Sequence, residues 1–272
     1  MPPIILRLRA SRVSCVAAAL AMLCLSGCAG HEFADGPTAD LKERLTVCPP
    51  SGTYNSIDLL DGSGSSQDPV LLDDRWGAVR AHLIQAAVCG GHARVVVGSS
   101  SSATSVILLD TDLEPAGATE NARLRRVEEL VDANLATAKE AYNTALPELD
   151  TGGTDMTAAY FSLADYITER DSVVGEQVYS AQVETDGIQN VGIDLSAPSL
   201  SVESSEALTS SVHLPQLDER ISVTFLGIGK VAGTEQPSTD YVNGLKAFWS
   251  ATCKATGAGS CTVLTDFGGG SQ

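Results

Sequence analysis

The 272-residue chain is predicted to fold as an α/β protein. The expected architecture is an open, mostly parallel sheet of about six strands, with one antiparallel edge strand and helices on both faces. Two observations carry this. Short apolar runs alternate with segments of three- to four-residue periodicity from residue 53 to 264, the pattern of a sheet layered with helices. Two of the strands are separated by only about six residues, enough for a hairpin and too few for a parallel crossover. Neither a second core nor a repeat of 20–50 residues is visible.

Along the chain, residues 1–27 read as a leader. Arg7, Arg9 and Arg12 precede an apolar run over 13–25, which is too short for a spanning helix and fits the core of a signal peptide. The run ends in Leu25-Ser26-Gly27-Cys28, which resembles the lipobox of bacterial lipoproteins. That resemblance implies lipidation of Cys28 and a cell-membrane, lipid-anchored location on the extracytoplasmic side. Residues 28–47 are then expected to be a flexible tether, 48–267 the folded domain and 268–272 a disordered tail.

Within the domain, 53–60 reads as the first strand. Residues 73–88 read as a helix with Trp76, Val79, Leu83, Ile84 and Val88 on one face, stopped by Gly90 and Gly91. Strands over 93–98 and 105–109 form the hairpin. The long periodic stretch over 119–146 predicts one amphipathic helix, ended by Pro147. A loop over 151–155 leads to a helix over 156–169. A strand over 177–184 ends in Thr185-Asp186-Gly187. A short helix over 204–213, a strand over 221–228, a helix over 239–256 and a strand over 261–264 complete the fold.

Composition bounds the function. The chain carries 17 Lys and Arg against 34 Asp and Glu, a net charge of −17. Removing the leader takes three arginines and no acid, leaving 14 against 34, or −20. A nucleic-acid partner is excluded for want of a basic footprint. Four of the seven cysteines, Cys48, Cys89, Cys253 and Cys261, belong to the domain. An even number in an exported protein reads as disulfides, and four cysteines allow three pairings. Cys253–Cys261, closing a short loop, with Cys48–Cys89 is the favoured set. Zinc is the alternative, without a close Cys-x-x-Cys pair to support it.

Three loops carry oxygen donors. The first supplies Asp61, Ser63 and Ser65 in Asp61-Gly62-Ser63-Gly64-Ser65. The second supplies Thr154 after Gly152-Gly153, with Asp155 and Thr157 as neighbours and Thr157 as a rival. The third supplies Asp186. In an open α/β sheet the loops at the carboxyl ends of strands converge where the strand order reverses. All the donors are hard oxygens, suited to Mg²⁺, Mn²⁺ or Ca²⁺.

Asp61-Gly62-Ser63-Gly64-Ser65 resembles the Asp-x-Ser-x-Ser element of the von Willebrand factor type A domain. Gly152-Gly153-Thr154-Asp155 resembles that family's threonine loop, and Thr185-Asp186-Gly187 its third element. The resemblance runs over about 53–266. It implies a Rossmann-like sheet and a metal-ion-dependent adhesion site, in which the hydroxyls ligate the cation and the aspartates act directly or through water. One position then stays open for an acidic side chain of an extracytoplasmic protein partner, and the domain performs no catalysis.

Rival chemistries are weaker. Val106-Ile107-Leu108-Leu109-Asp110-Thr111-Asp112 resembles the first motif of haloacid-dehalogenase phosphatases, which would make Asp110 and Asp112 a metal-assisted hydrolytic pair. The downstream lysine and acidic pair are not evident. Gly227-Ile228-Gly229-Lys230-Val231-Ala232-Gly233 lacks the spacing and the following helix of a dinucleotide loop. Ser63 and Ser65 lack a placed histidine, and His31, His82, His92 and His213 are all expected at the surface.

Overall fold

The computed structural model describes residues 38–100, 105–149, 152–233 and 235–268. The leader, Cys28, the first half of the tether and nearly all of the expected tail lie outside the described residues.

Six strands form one sheet: β1 (Thr53–Asp61), β2 (His92–Gly98), β3 (Val106–Asp112), β4 (Gln177–Glu184), β5 (Ile221–Leu226) and β6 (Ser260–Val263). Their order is β3-β2-β1-β4-β5-β6. All neighbours are parallel except β2 and β3, which pair antiparallel with a register shift at Val95/Val96. The predicted fold class is therefore present, with its antiparallel strand at the edge. The strand order reverses between β1 and β4, so the loops leaving these two strands flank the switch point.

Among the described residues seven α-helices accompany the sheet: α1 (Ala39–Leu45), α2 (Pro69–Cys89), α3 (Glu120–Leu124), α4 (Val127–Ala145), α5 (Ala158–Arg170), α6 (Val202–Thr209) and α7 (Thr239–Ala255). The two faces have separate cores. Leu60 and the valines 95 and 97 pack with α2 and α4. Ile57, Leu59, Val183 and Phe225 pack with α5 and α7, where Phe248 and Trp249 are fully buried. This alternation is the two-residue period of a strand covered on both sides. Each such fully buried side chain contributes about 1.5–3 kcal/mol.

Local chemistry explains the helix that leads away from the first loop. Asp68 caps α2 by accepting from the backbone N–H groups of Val70 and Leu71, Pro69 occupies its first turn, and Gly90 ends it with φ +63°. An aspartate cap, a first-turn proline and a left-handed glycine are the signals that start and stop a helix. Both favoured disulfides are present, Cys48–Cys89 and Cys253–Cys261.

Four expectations need correction. The segment read as tether contains α1, whose Leu41 is buried against the α2 side of the core and whose end is clamped by Cys48–Cys89. The long helix over 119–146 is two, because Thr119 caps α3 and the chain turns at Arg125 and Arg126 before α4 starts. The strand expected over 105–109 runs on to Asp112, so Asp110 and Asp112 lie on β3. His82 and His92 are buried, not superficial. His92 Nδ1 meets the Tyr166 hydroxyl at 2.8 Å and its Nε2 lies 3.3 Å from Asp110. His213 is exposed as expected, and His31 lies outside the described residues.

Candidate metal centre

β1 ends in Asp61, whose carboxylate is buried and used twice. Its Oδ1 accepts from Ser63 N–H at 2.9 Å and its Oδ2 from the Thr185 hydroxyl at 2.9 Å. The first bond folds the loop back on itself, and the second ties β1 to the loop after β4. Gly62 is required here by space. A Cβ at this position would lie 2.7 Å from Leu149 Cδ1 and 2.8 Å from Val97 Cγ2.

Ser63 and Ser65 face each other across the turn, their hydroxyls 3.3 Å apart. Ser63 also meets Ser66 at 3.1 Å. Ser65 donates to Asp186 Oδ2 at 3.1 Å, across 121 residues of chain. Ser63 is buried and Ser65 exposed, so the pair opens toward solvent at Ser65.

Asp186 follows β4 and is held by backbone. Its Oδ1 accepts from Ile188 N–H at 2.8 Å, and its own carbonyl accepts from Gly229 N–H at 2.8 Å. The next residue must be glycine: Gly187 has φ +77°, and a Cβ there would lie 2.7 Å from Ile228 Cδ1 and 2.8 Å from Trp249 Nε1. Burial first, and then the charge of Asp61, push the Asp186 carboxyl up to about 6.

Thr154 is brought in by the loop ahead of α5. Its N–H donates to Asn190 Oδ1 at 2.8 Å, and its carbonyl accepts from the N–H groups of Asn190 and Val191, both at 3.1 Å. Thus one segment, 185–191, touches the serine loop through Asp186 and the threonine loop through Asn190. The rival Thr157 spends its hydroxyl on Asp155 Oδ1 at 2.6 Å, while its N–H donates to Gln189 Oε1. That local bonding favours Thr154 as the donor that remains for the site.

Several contributors were not singled out from the sequence: Thr185, Ser66, Gln189, Asn190 and Arg75. Arg75 is fully buried beneath the first loop, its Nη1 donating to the carbonyls of Asp61 and Ser66 at 3.3 and 2.9 Å. Its Nε and Nη2 have no hydrogen-bond partner among the described residues, nor do both carboxyl oxygens of buried Glu184. Burial and the charge of Asp58 push the Glu184 carboxyl well above the ordinary range. Arg75 could have been suspected, because it falls one turn before Val79 on the stripe that α2 buries.

The donor chemistry fits a hard divalent cation. Asp61 and Asp186 are both buried, the charge of Asp61 raises the cost of ionising Asp186, and a cation between them would relieve that cost. Among the described residues no group of three or more His, Cys, Asp or Glu side chains is placed to hold a metal ion, so hydroxyls have to complete any coordination here.

The phosphatase pair is placed elsewhere. Asp110 accepts from Arg94 at 3.1 and 2.7 Å, and Arg94 also reaches Glu169. Because β3 runs antiparallel, Asp112 lies opposite His92, at the start of β2. Asp61 lies opposite Gly98, at the end of β2. The two pairs of acids therefore sit at opposite ends of the sheet.

Comparison with known proteins adds three solved structures of low similarity. A conserved hypothetical protein BatB from Bacteroides thetaiotaomicron is 14% identical over 79% of this chain and 91% of its own, with a TM-score of 0.38. Proximal thread matrix protein 1 from the mussel byssus is 13% identical over 79% and 44%, with a TM-score of 0.37. The pilus adhesin SpaC of Lactobacillus rhamnosus GG, in an open conformation, is 11% identical over 74% and 27%, with a TM-score of 0.36. No protein-family model matches the chain, and no curated protein does.

Proposed function

We propose that the protein is a cation-dependent protein-binding module of the von Willebrand factor type A kind, carried on a lipid-anchored bacterial envelope protein. Ser63, Ser65 and Thr154 would supply neutral hydroxyl donors, with Asp61 and Asp186 holding the charge. A bound Mg²⁺, or Mn²⁺ or Ca²⁺ in its place, would offer a counter-charge to a partner's carboxylate. The chain's own part is to bury the two aspartates, orient the hydroxyls through tight glycine turns and leave the Ser65 side open.

The observation that carries the reading is the Ser65–Asp186 bond, which joins the first and third motifs at the switch point of the sheet. The site holds no paired nucleophile and base, so we read it as a binding site without turnover. Among the described residues no helix is long and apolar enough to cross a membrane, and attachment in this reading rests on lipid at Cys28.

Thermal melting under Mg²⁺ titration tests the site. A ligand that binds only the folded state must raise the midpoint. The rise is expected in the wild type and its loss in Asp61→Ala. An equal rise in both would refute the assigned ligands.

A further inference from the structure

On the α2 face of the sheet, below the cation site, three side chains from three elements form a second constellation. His82 of α2 places Nε2 2.9 Å from the Ser180 hydroxyl on β4 and Nδ1 2.8 Å from Asp58 Oδ1 on β1. Asp58 and His82 are buried, while Ser180 is partly exposed. A carboxylate can only accept, so Asp58 fixes the proton on Nδ1 and leaves the Nε2 lone pair facing the serine. This is the order of contacts that makes a serine nucleophilic, a base within hydrogen-bond reach and a third group orienting that base.

Ser180 and His82 line a cleft of about 210 Å³, with Arg44, Tyr54, Gln182 and Phe267 around them. The space admits a small ligand, Phe267 gives it an apolar wall, and the Tyr54 hydroxyl lies beside Ser180. Gln182 lies two residues beyond Ser180 on the same face of β4, and its Oε1 has no hydrogen-bond partner among the described residues.

We propose that Ser180, His82 and Asp58 form a hydrolytic site for short-chain carboxylic esters, separate from the cation site. Ser180 Oγ bonds to the ester carbonyl carbon as its proton passes to His82 Nε2. The carbon–oxygen bond to the alcohol breaks, and the alcohol leaves with that proton. Water then bonds to the acyl carbon and yields a proton to His82. The Oγ–carbon bond breaks, Ser180 regains its proton and the carboxylic acid departs. Ser180 and His82 are the catalytic residues, and Asp58 is a positioning residue.

The test uses the folded chain with p-nitrophenyl acetate as substrate and an alkyl fluorophosphonate as label. Turnover and a single adduct mapped by peptide mass to Ser180 are expected, both unchanged by EDTA. Ser180→Ala should lose both while keeping the wild-type circular dichroism. Asp58→Asn should slow acylation at saturating substrate on the order of 10²–10⁴-fold with the half-saturating concentration unchanged. Mapping on the wild type needs no variant to fold. A wild type that takes no label, or takes it at another residue, overturns the proposal and leaves a buried structural hydrogen-bond chain. Failure of the Mg²⁺-dependent melt would leave this result untouched.

Discussion

At the scale of single residues, Asp186 sets the electrostatics of the cation site. Its carboxyl is raised to about 6 from an ordinary 3.8, by burial and by the charge of Asp61. A raised acid binds its proton more tightly in the folded state, so this group favours folding fully below about pH 4 and loses that contribution as pH rises through 6. The whole effect is about 3 kcal/mol. In chelator, urea unfolding should therefore show stability falling from pH 4 toward 7 for this group, and Asp186→Asn should flatten that component. With Mg²⁺ present the trend should reverse, because the cation competes with the proton: the Mg²⁺-induced rise in melting temperature should grow as pH passes 6. A rise of equal size at pH 5 and pH 7.5 would separate Asp186 from the cation. Arg75 acts in the same network from below. Arg75→Leu removes two hydrogen bonds from a charged donor to the carbonyls of Asp61 and Ser66, and is expected to cost about 1.5–3 kcal/mol for each in unfolding free energy.

At the scale of elements, the turns decide whether the donors meet. Gly187→Ala puts a methyl against Ile228 and Trp249 at a backbone φ of +77°. It is expected to lose about 1–3 kcal/mol from overpacking alone and to weaken the Mg²⁺ response by shifting Asp186. Calorimetry with and without Mg²⁺ checks both. The two disulfides divide by loop length. Cys48–Cys89 spans 41 residues and Cys253–Cys261 spans 8. In the loop-entropy account, replacing each pair by serine should cost about 4 and about 2.6 kcal/mol respectively. Denaturant midpoints of the two double variants should fall in that order. The longer one also fixes α1 to the end of α2, so its loss should free α1 first, seen as early proteolysis near residue 45.

At the scale of the whole molecule, the sheet order is what makes a site. Asp61 and Asp186 are adjacent because β1 and β4 are neighbours and parallel, although 124 residues separate Thr185 from Asp61. The proposed lipid attachment belongs to this scale too. Cys28→Ala is expected to move the protein from the membrane fraction to the soluble fraction, and full retention in membranes would refute the lipid attachment. The net charge of −17 acts against acidic partners only within a screening length of about 8–10 Å, so partner binding should depend more on the cation than on salt. Pull-down from the envelope with and without chelator measures that difference.

The fold class was legible from the chain alone because strand and helix periodicities are local, and so were the glycine turns around Asp61, Thr154 and Asp186. The even cysteine count and the short 253–261 loop pointed to the disulfides. What the sequence did not disclose was everything that depends on which residues face one another. Asn190, four residues past Asp186, looks like any loop asparagine until it is found bonded to Thr154. His82 reads as a surface residue until β1 and β4 bring Asp58 and Ser180 to its two ring nitrogens. Residues 39–45, read as part of a tether, form a helix next to a disulfide that ties the chain to a distant helix end. The sequence by itself determined the six strands, their order along the chain and the donor-bearing loops, since these follow from patterns within a few residues, but not α1 or the break between α3 and α4. The tertiary structure alone decided which loops meet, how deeply their carboxylates are buried and where a buried histidine finds its partners. Those properties follow from strand pairing across more than a hundred residues, and no local pattern encodes it.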